Sequence, residues 1–254
     1  MITLKSPHEI EAMRRAGKIT AAARAFAGEM VRPGVTTQQI DKAVYKFITE
    51  QGATPSFLHY NGYPASVCVS VNDEIIHGIP GKRVLQEGDI VSVDVGAFIG
   101  GFHGDCAATY ACGQISDQAK KLIEVTQQSF WEGIKMARKG CRVSDIGHAV
   151  QTYVEANGFS VVRDYVGHGV GAKLHEAPEV RNFGPAGHGP RLLPGMTLAV
   201  EPMVNVGDWQ IRVLPDGWTV KTLDGSLAAH YENTILITEG DAEVLTVTED
   251  GAYV

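Results

Sequence analysis

MVRPGVTTQQIDKAVYKFITEQG, residues 30–52, and MARKGCRVSDIGHAVQTYVEANG, residues 136–158, align at one constant offset of 106. The shared positions are Met30/Met136, Arg32/Arg138, Gly34/Gly140, Ile40/Ile146, Ala43/Ala149, Val44/Val150 and Gly52/Gly158. Seven identities over 23 positions exceed the one or two that chance supplies at roughly 7% per position. With one more residue of offset the match resumes, laying Leu85 on Leu192, Gly88 on Gly195, Val93 on Val200 and Asp94 on Glu201. Each half thus delivers a carboxylate six residues after a turn glycine, and the repeat is expected to match the pair Glu201/Glu232 to the pair Asp94/Asp105 and to bring both into a central cleft. The rival reading is coincidence among Gly and Val.

Working outward, Ser6-Pro7-His8-Glu9 has the form of a capping box with proline at the first helical position, which predicts a helix over 7–30. Arg32-Pro33-Gly34 breaks it, and further helices are expected over 37–52, 116–138 and 144–158. Strand-rich blocks occupy 66–110 and 161–247. The order helices, strands, helices, strands predicts an α+β fold: one domain over 1–254 built from internal halves of about 7–110 and 116–247, facing one another across a central cleft.

The chain has 254 residues, 44% hydrophobic and 20% charged, enough for a large core. A formal net charge of −7 argues against direct nucleic-acid binding, which needs a basic face. No apolar run approaches the length of a membrane span, and MITLKSPHEIEAMRRAG at the start lacks the apolar core of a signal peptide, so a cytoplasmic location is expected. Cys68, Cys106, Cys112 and Cys141 form no CxxC pair and read as free thiols.

Five polar side chains sit in apolar surroundings: Asp94 in IVSVDVGAF, Asp105 in FHGDCAATY, His168 in YVGHGVG, Glu201 in TLAVEPMV and Glu232 in HYENTILI. Burying an unpaired carboxylate costs several kcal/mol or forces it to take up a proton. Convergence on one or two divalent cations removes that cost, because the ions supply the charge that water no longer balances. Four carboxylates and an imidazole suit Mn, Co, Fe or Zn rather than a thiolate zinc site. Asp94 and Asp105 flank a glycine-rich connection that can return the second strand beside the first. A proton-sharing aspartic dyad is the rival there, without its usual Asp-Thr/Ser-Gly context. Exposed edge strands are the rival for Glu201 and Glu232, and a mononuclear two-histidine, one-carboxylate oxygenase leaves four embedded carboxylates unexplained. His175 follows His168 by seven residues, which is not the helical H-E-x-x-H of zinc proteases.

CVSVNDEIIHGIP (68–80), SVDVGAFIGGFHGDCAATY (92–110), YVGHGVGAKLHEAP (165–178), AVEPMV (199–204) and HYENTILIT (230–238) together resemble the type I methionine aminopeptidases. These belong to the pita-bread group that also contains prolidase, aminopeptidase P and creatinase, and the resemblance runs over about 6–247. It implies two pseudo-symmetric α+β halves and two divalent ions, drawn from Mn, Fe, Co or Zn. Asp94 would chelate one ion, Asp105 and Glu232 bridge both, and His168 and Glu201 complete the other. The implied reaction is removal of the N-terminal methionine from nascent polypeptides with a small second residue, by attack of a metal-bridging hydroxide. Glu201 would also carry the nucleophile's proton to the leaving amine, His175 would donate to the oxyanion or its carbonyl precursor, and His77 would contact an amide nitrogen of the substrate. Tyr60, Tyr63, Cys68 and Trp218 would line the side-chain pocket. Phe57 stands where the best-known bacterial members have a smaller cysteine, and Leu174 where they have phenylalanine, which bears on tolerance for second residues and methionine analogues.

The resemblance further implies a monomer acting on nascent N-termini at the ribosome, with no membrane contact. Two rivals share the fold. X-Pro peptidases carry a large N-terminal domain for which the helical start at Ser6 leaves no room, and non-catalytic peptide-binding modules have lost ligands that are all filled here. The chain also lacks the N-terminal extensions and the long insertion of other methionine aminopeptidases, so the minimal bacterial form is expected.

Overall fold

A computed structural model of the chain describes residues 1–248, and positions 249–254 of the expected domain lie outside the described residues. Helix α1 (Pro7–Glu29) begins at Ser6, whose hydroxyl accepts from the Glu9 N–H while the Glu9 carboxylate accepts from the Ser6 N–H. Helix α2 (Thr37–Glu50) repeats this reciprocal cap with Thr36 and Gln39. Helices α3 (Asp117–Ile134) and α4 (Val143–Ala156) follow. The end of α3 falls short of the expected 138. The N–H groups of Met136 and Ala137 turn back onto the carbonyls of Gly133 and Ile134, and Ala137 is drawn wholly into the core.

Helices α2 and α4 are both 14 residues long and stand at the offset read from the sequence. The glycines before them, Gly34 and Gly140, have φ of 90° and 93°. Their N–H groups donate to Leu85 and Leu192, respectively, themselves equivalent in the repeat.

The main sheet runs, in spatial order, Thr54–Pro55, Ile90–Ile99, Phe102–Ala111, Glu232–Leu236, Thr197–Val200, Gly167–Gly169 and Glu176–Val180. Strand Val67–Val71 also pairs with Ile90–Ile99. Gly100 and Gly101, at φ 62° and 86°, close the Ile90–Ile99/Phe102–Ala111 hairpin as a two-residue turn that needs positive φ at both positions. In the second half the equivalent long strand is split into Thr197–Val200 and Met203–Asn205 by Pro202, which has no N–H to give to a ladder. Register survives the break: Asn233 opposes Val200 and His230 opposes Met203 in one continuous frame. The edge pairs Thr54↔Phe98 and Pro55↔Ala97 recur as Ser160↔Asn205 and Val161↔Val204.

This frame corrects one expectation. Asp94 and Glu201 are equivalent, but Asp105, opposite Gly96, has His230, opposite Met203, as its counterpart. Glu232 corresponds to Ala107. Ala107 and Glu232 also face one another directly where the halves join, so the pseudo-twofold axis passes between them.

Helices α1 and α2 cover the first half, packing Ala23, Ala27, Ile40, Val44 and Ile48 against Val69, Val91 and Val93. Phe130 and Ile146 of α3 and α4 pack on Leu198, Val200 and Ile235 of the second. Helix α1 meets its hairpin at backbone distance: a Cβ on Gly104 would lie 2.9 Å from the Ala16 carbonyl carbon. At the axis, fully buried Arg24 of α1 donates through Nη1 to the carbonyls of Ala107 and Glu232 and to Asn233 Oδ1, at 3.1–3.2 Å. It clamps the two central strands in register. The strand pair Ile211–Val213/Val220–Thr222 of the second half joins Glu74–Ile76 of the first in a small separate sheet, which carries Trp218 between its strands. The four cysteines are free thiols, and no helix among the described residues is long and apolar enough to cross a membrane.

Candidate metal centre

Asp94, Asp105, His168, Glu201 and Glu232 all open onto one cavity of about 360 Å³ at the junction of the halves. Asp94 and Asp105 share a sheet face because Gly96, two residues from Asp94, lies opposite Asp105. Glu232 sits on the pseudo-twofold axis. Glu201 stands at the Pro202 break, with its carbonyl held by the Asn182 side-chain amide at 3.0 Å. His168 lies in a strand flanked by Gly167 and Gly169, where a Cβ would come within 2.3 Å of Ala199 O and 2.4 Å of Ala177 O, respectively, so neighbouring backbone packs tightly against the strand on either side of His168.

His168 Nδ1 lies 2.9 Å from the Gly169 carbonyl, which accepts its proton and leaves the Nε2 lone pair facing Asp105 at 3.8 Å and Glu201 at 3.6 Å. Burial lowers the imidazole pKa to about 3, so it is a neutral ligand at physiological pH.

The carboxylates lack partners. Asp94 Oδ1, Asp105 Oδ1, Glu201 Oε1 and Glu232 Oε1 are buried without a hydrogen bond. Burial raises Asp94 to about 7, and the Val95 N–H and, less, the Arg24 charge draw it only part of the way back. Asp105, Glu201 and Glu232 are pushed well above the usual carboxylate range by burial first and by neighbouring carboxylates second, Asp94 foremost for Asp105 and Glu201 and Asp105 foremost for Glu232. Four like groups this close to one another repel unless they hold protons or cations. With His168 Nε2 aimed among them, the donor set fits divalent metal, and Asp105, His168 and Glu232 offer ligand atoms all within 4.8 Å of one another.

Around this cluster stand the other expected residues. His175 lies at the exposed mouth, its Nδ1 2.8 Å from Tyr60 Oη and its ring 4.0 Å from that of His168. His77 holds a left-handed φ of 58° and meets Tyr165 and Trp218 edge-on. Phe57, Tyr63, Cys68 and Leu174 form one buried apolar cluster with Tyr60 and Trp218 packed against it, and all six line the cavity. Tyr63 Oη donates to the Val67 and Gly78 carbonyls, each at 3.1 Å, which turns its ring toward Trp218. Sequence reasoning missed Tyr165 and His230. The first adjoins the Val-Gly-His motif, whereas the second became visible only through strand register.

The profile of metallopeptidase family M24 matches residues 11–239. The chain belongs to this family. Methionine aminopeptidase of Clostridium perfringens is 54% identical over 97% of this M24 chain and 99% of its own length. Methionine aminopeptidase 1 of Bacillus subtilis is 53% identical, covering 97% of this chain and 99% of its own. The crystal structure of methionine aminopeptidase from Thermotoga maritima superposes with a TM-score of 0.95 at 48% identity, over 97% of this chain and 99% of that one. Prolidase from Pyrococcus furiosus shares the fold alone, with a TM-score of 0.80 at 22% identity over 97% of this chain and 66% of its own. The architecture of this M24 peptidase is therefore the pita-bread α+β fold, and metal dependence comes with the family.

Proposed function

We propose that the chain is a metal-dependent aminopeptidase that removes the N-terminal methionine of polypeptides, using two divalent ions drawn from Mn, Fe, Co or Zn. The observation that carries this reading is a set of buried, unpartnered carboxylate oxygens beside an apolar pocket, in a chain 54% identical over nearly its full length to a methionine aminopeptidase. Asp94 would hold one ion, His168 and Glu201 the other, and Asp105 and Glu232 both. When bound, such ions supply a water acidified toward neutrality and polarise the scissile carbonyl.

The protein groups divide the remaining work. Glu201 Oε1, which has no hydrogen-bond partner, receives the proton of the attacking water and returns it to the leaving amine. His175 Nδ1 lies 2.8 Å from Tyr60 Oη, and in the tautomer in which Nδ1 accepts the Tyr60 proton the imidazole proton sits on Nε2, free to donate to the substrate carbonyl as it gains negative charge. His77, kept neutral by a pKa lowered to about 4 through burial, meets an amide nitrogen of the substrate. Ring edges of Tyr63 and Trp218 and the Cys68 thiol, held protonated by burial, suit an unbranched thioether. Phe57 and Leu174 keep the pocket wall apolar.

Natural substrates on this reading are nascent chains with a small second residue, met by a cytoplasmic monomer at the ribosome. Comparing hydrolysis of Met-Ala-Ser with that of an Ala-Pro peptide, with and without chelator, tests it. Cleavage of the first alone, abolished by chelation and restored by metal, is expected. Activity on Met-Ala-Ser that survives complete metal removal would sink the proposal.

A further inference from the structure

His230 is 2% exposed, and neither ring nitrogen has a hydrogen-bond partner. A buried imidazole without partners forfeits its hydration for no return, which costs about 1–3 kcal/mol unless something at the site repays it. Its backbone is pinned on both sides by Thr109 Oγ1, which accepts from the His230 N–H and donates to the His230 carbonyl, each at 2.9 Å. The ring itself lies on the Glu232 side of the strand, two residues from that carboxylate, behind the cavity lining rather than in it.

Its neighbours are ligand groups. His230 Nε2 lies 3.8 Å from Glu232 Oε2, and Asp94, His230 and Glu232 offer ligand atoms all within 4.8 Å of one another. Two ligands about 2.1 Å from one ion stand at most about 4.2 Å apart, so that spacing needs only side-chain adjustment. The pseudo-symmetry gives the same answer, since His230 holds in the second half the register position that Asp105 holds in the first.

We infer that His230 is a protein ligand of the ion held by Asp94, so that each ion of the centre takes one imidazole: His168 on one side, His230 on the other, with Glu232 shared. This rests on the two-ion reading given above. An imidazole in a site otherwise made of carboxylates shifts its preference from Mn toward Co and Zn, because nitrogen donors steepen the ordinary order of divalent affinities.

The test uses the full chain, stripped of metal by chelator and titrated with Co²⁺. The wild type is expected to bind two ions and to show two exchangeable, paramagnetically shifted imidazole N–H resonances in its proton spectrum. His230→Gln and His230→Asn are expected to keep one resonance and one site of unchanged affinity while the second site weakens by about 10–100-fold, with a smaller preference for Co²⁺ over Mn²⁺ there. A single shifted imidazole resonance in the two-ion wild type would overturn the inference without recourse to a variant. So would two sites of unaltered affinity in both folded variants. Failure of the wild type to bind Co²⁺ at all would instead bring down the metal-centre reading itself.

Discussion

The two halves use one scaffold for different ends. In the first, Ile90–Ile99 and Phe102–Ala111 form an unbroken hairpin closed by two glycines, and it carries two short carboxylates, Asp94 and Asp105. In the second, Pro202 splits the equivalent strand, an insertion builds the wall bearing Trp218, and the matching positions hold the longer Glu201 and His230. A closed hairpin fixes charge in place. The opened one places Glu201, the carboxylate proposed to carry protons, at its break. At the axis the asymmetry is sharpest: Ala107 faces Glu232, so a single carboxylate stands there where two would collide.

Asp94 and Glu201, equivalent in register, give the largest expected contrast. If Asp94 only holds metal, Asp94→Asn loses activity on Met-Ala-Ser chiefly through weaker binding and regains much of it in excess metal. Glu201→Gln also removes the proton carrier, so kcat should stay about 10²–10⁴-fold down at every metal concentration. Initial rates across a metal titration check both. Equal rescue of the two variants would erase the functional difference drawn between the halves.

How far the sequence foretold this division depends on the residue. Helices α2 and α4 were legible because apolar periodicity and stop glycines are local signals, and the same glycines recur in both halves. The convergence of the five candidate ligands was legible chiefly from the four carboxylates, because carboxylates within apolar strands are rarely buried unless a partner offsets their charge. His230 was not, since a histidine beside Tyr-Glu-Asn carries no anomaly until register sets it opposite Met203. The matching of Glu232 to Asp105 failed for a related reason: the insertion before Ala228 shifts the numbering, and only the hydrogen-bond ladder restores the frame. The α3 end was missed because burial of Ala137, a tertiary contact, outweighed helix propensity.

A smaller effect is read through pH at Asp94. Burial raises the Asp94 carboxyl from 3.8 to about 7 in the metal-free fold. The folded state therefore keeps a proton that the unfolded chain releases between those values, and stability falls as pH rises through that window. Asp94→Asn removes the penalty. Metal-free Asp94→Asn should melt above metal-free wild type at pH 7, at roughly 2–4 °C for each kcal/mol, and the gap should close by about pH 4, the unfolded-state value. Saturating metal should reverse the order, because only the wild type keeps the full ligand set. A gap that persists at low pH would assign the effect to packing rather than to charge.

The smallest effect tests the equivalence itself. Gly34 and Gly140 share a φ near 90°, and a Cβ at either would meet nothing within 4 Å. Alanine there adds no clash, only the cost of a conformation that L residues avoid, about 1 kcal/mol at each site once the lost flexibility of the unfolded chain is offset. Gly34→Ala and Gly140→Ala should therefore destabilise by the same amount within about 0.5 kcal/mol, and the double variant should lose the sum. Denaturant titration checks this, with Co²⁺ affinity as the internal control, since neither glycine lines the cavity. If one variant cost several times the other, the turns would be alike in shape but not in load, and the halves would be equivalent only in their strands.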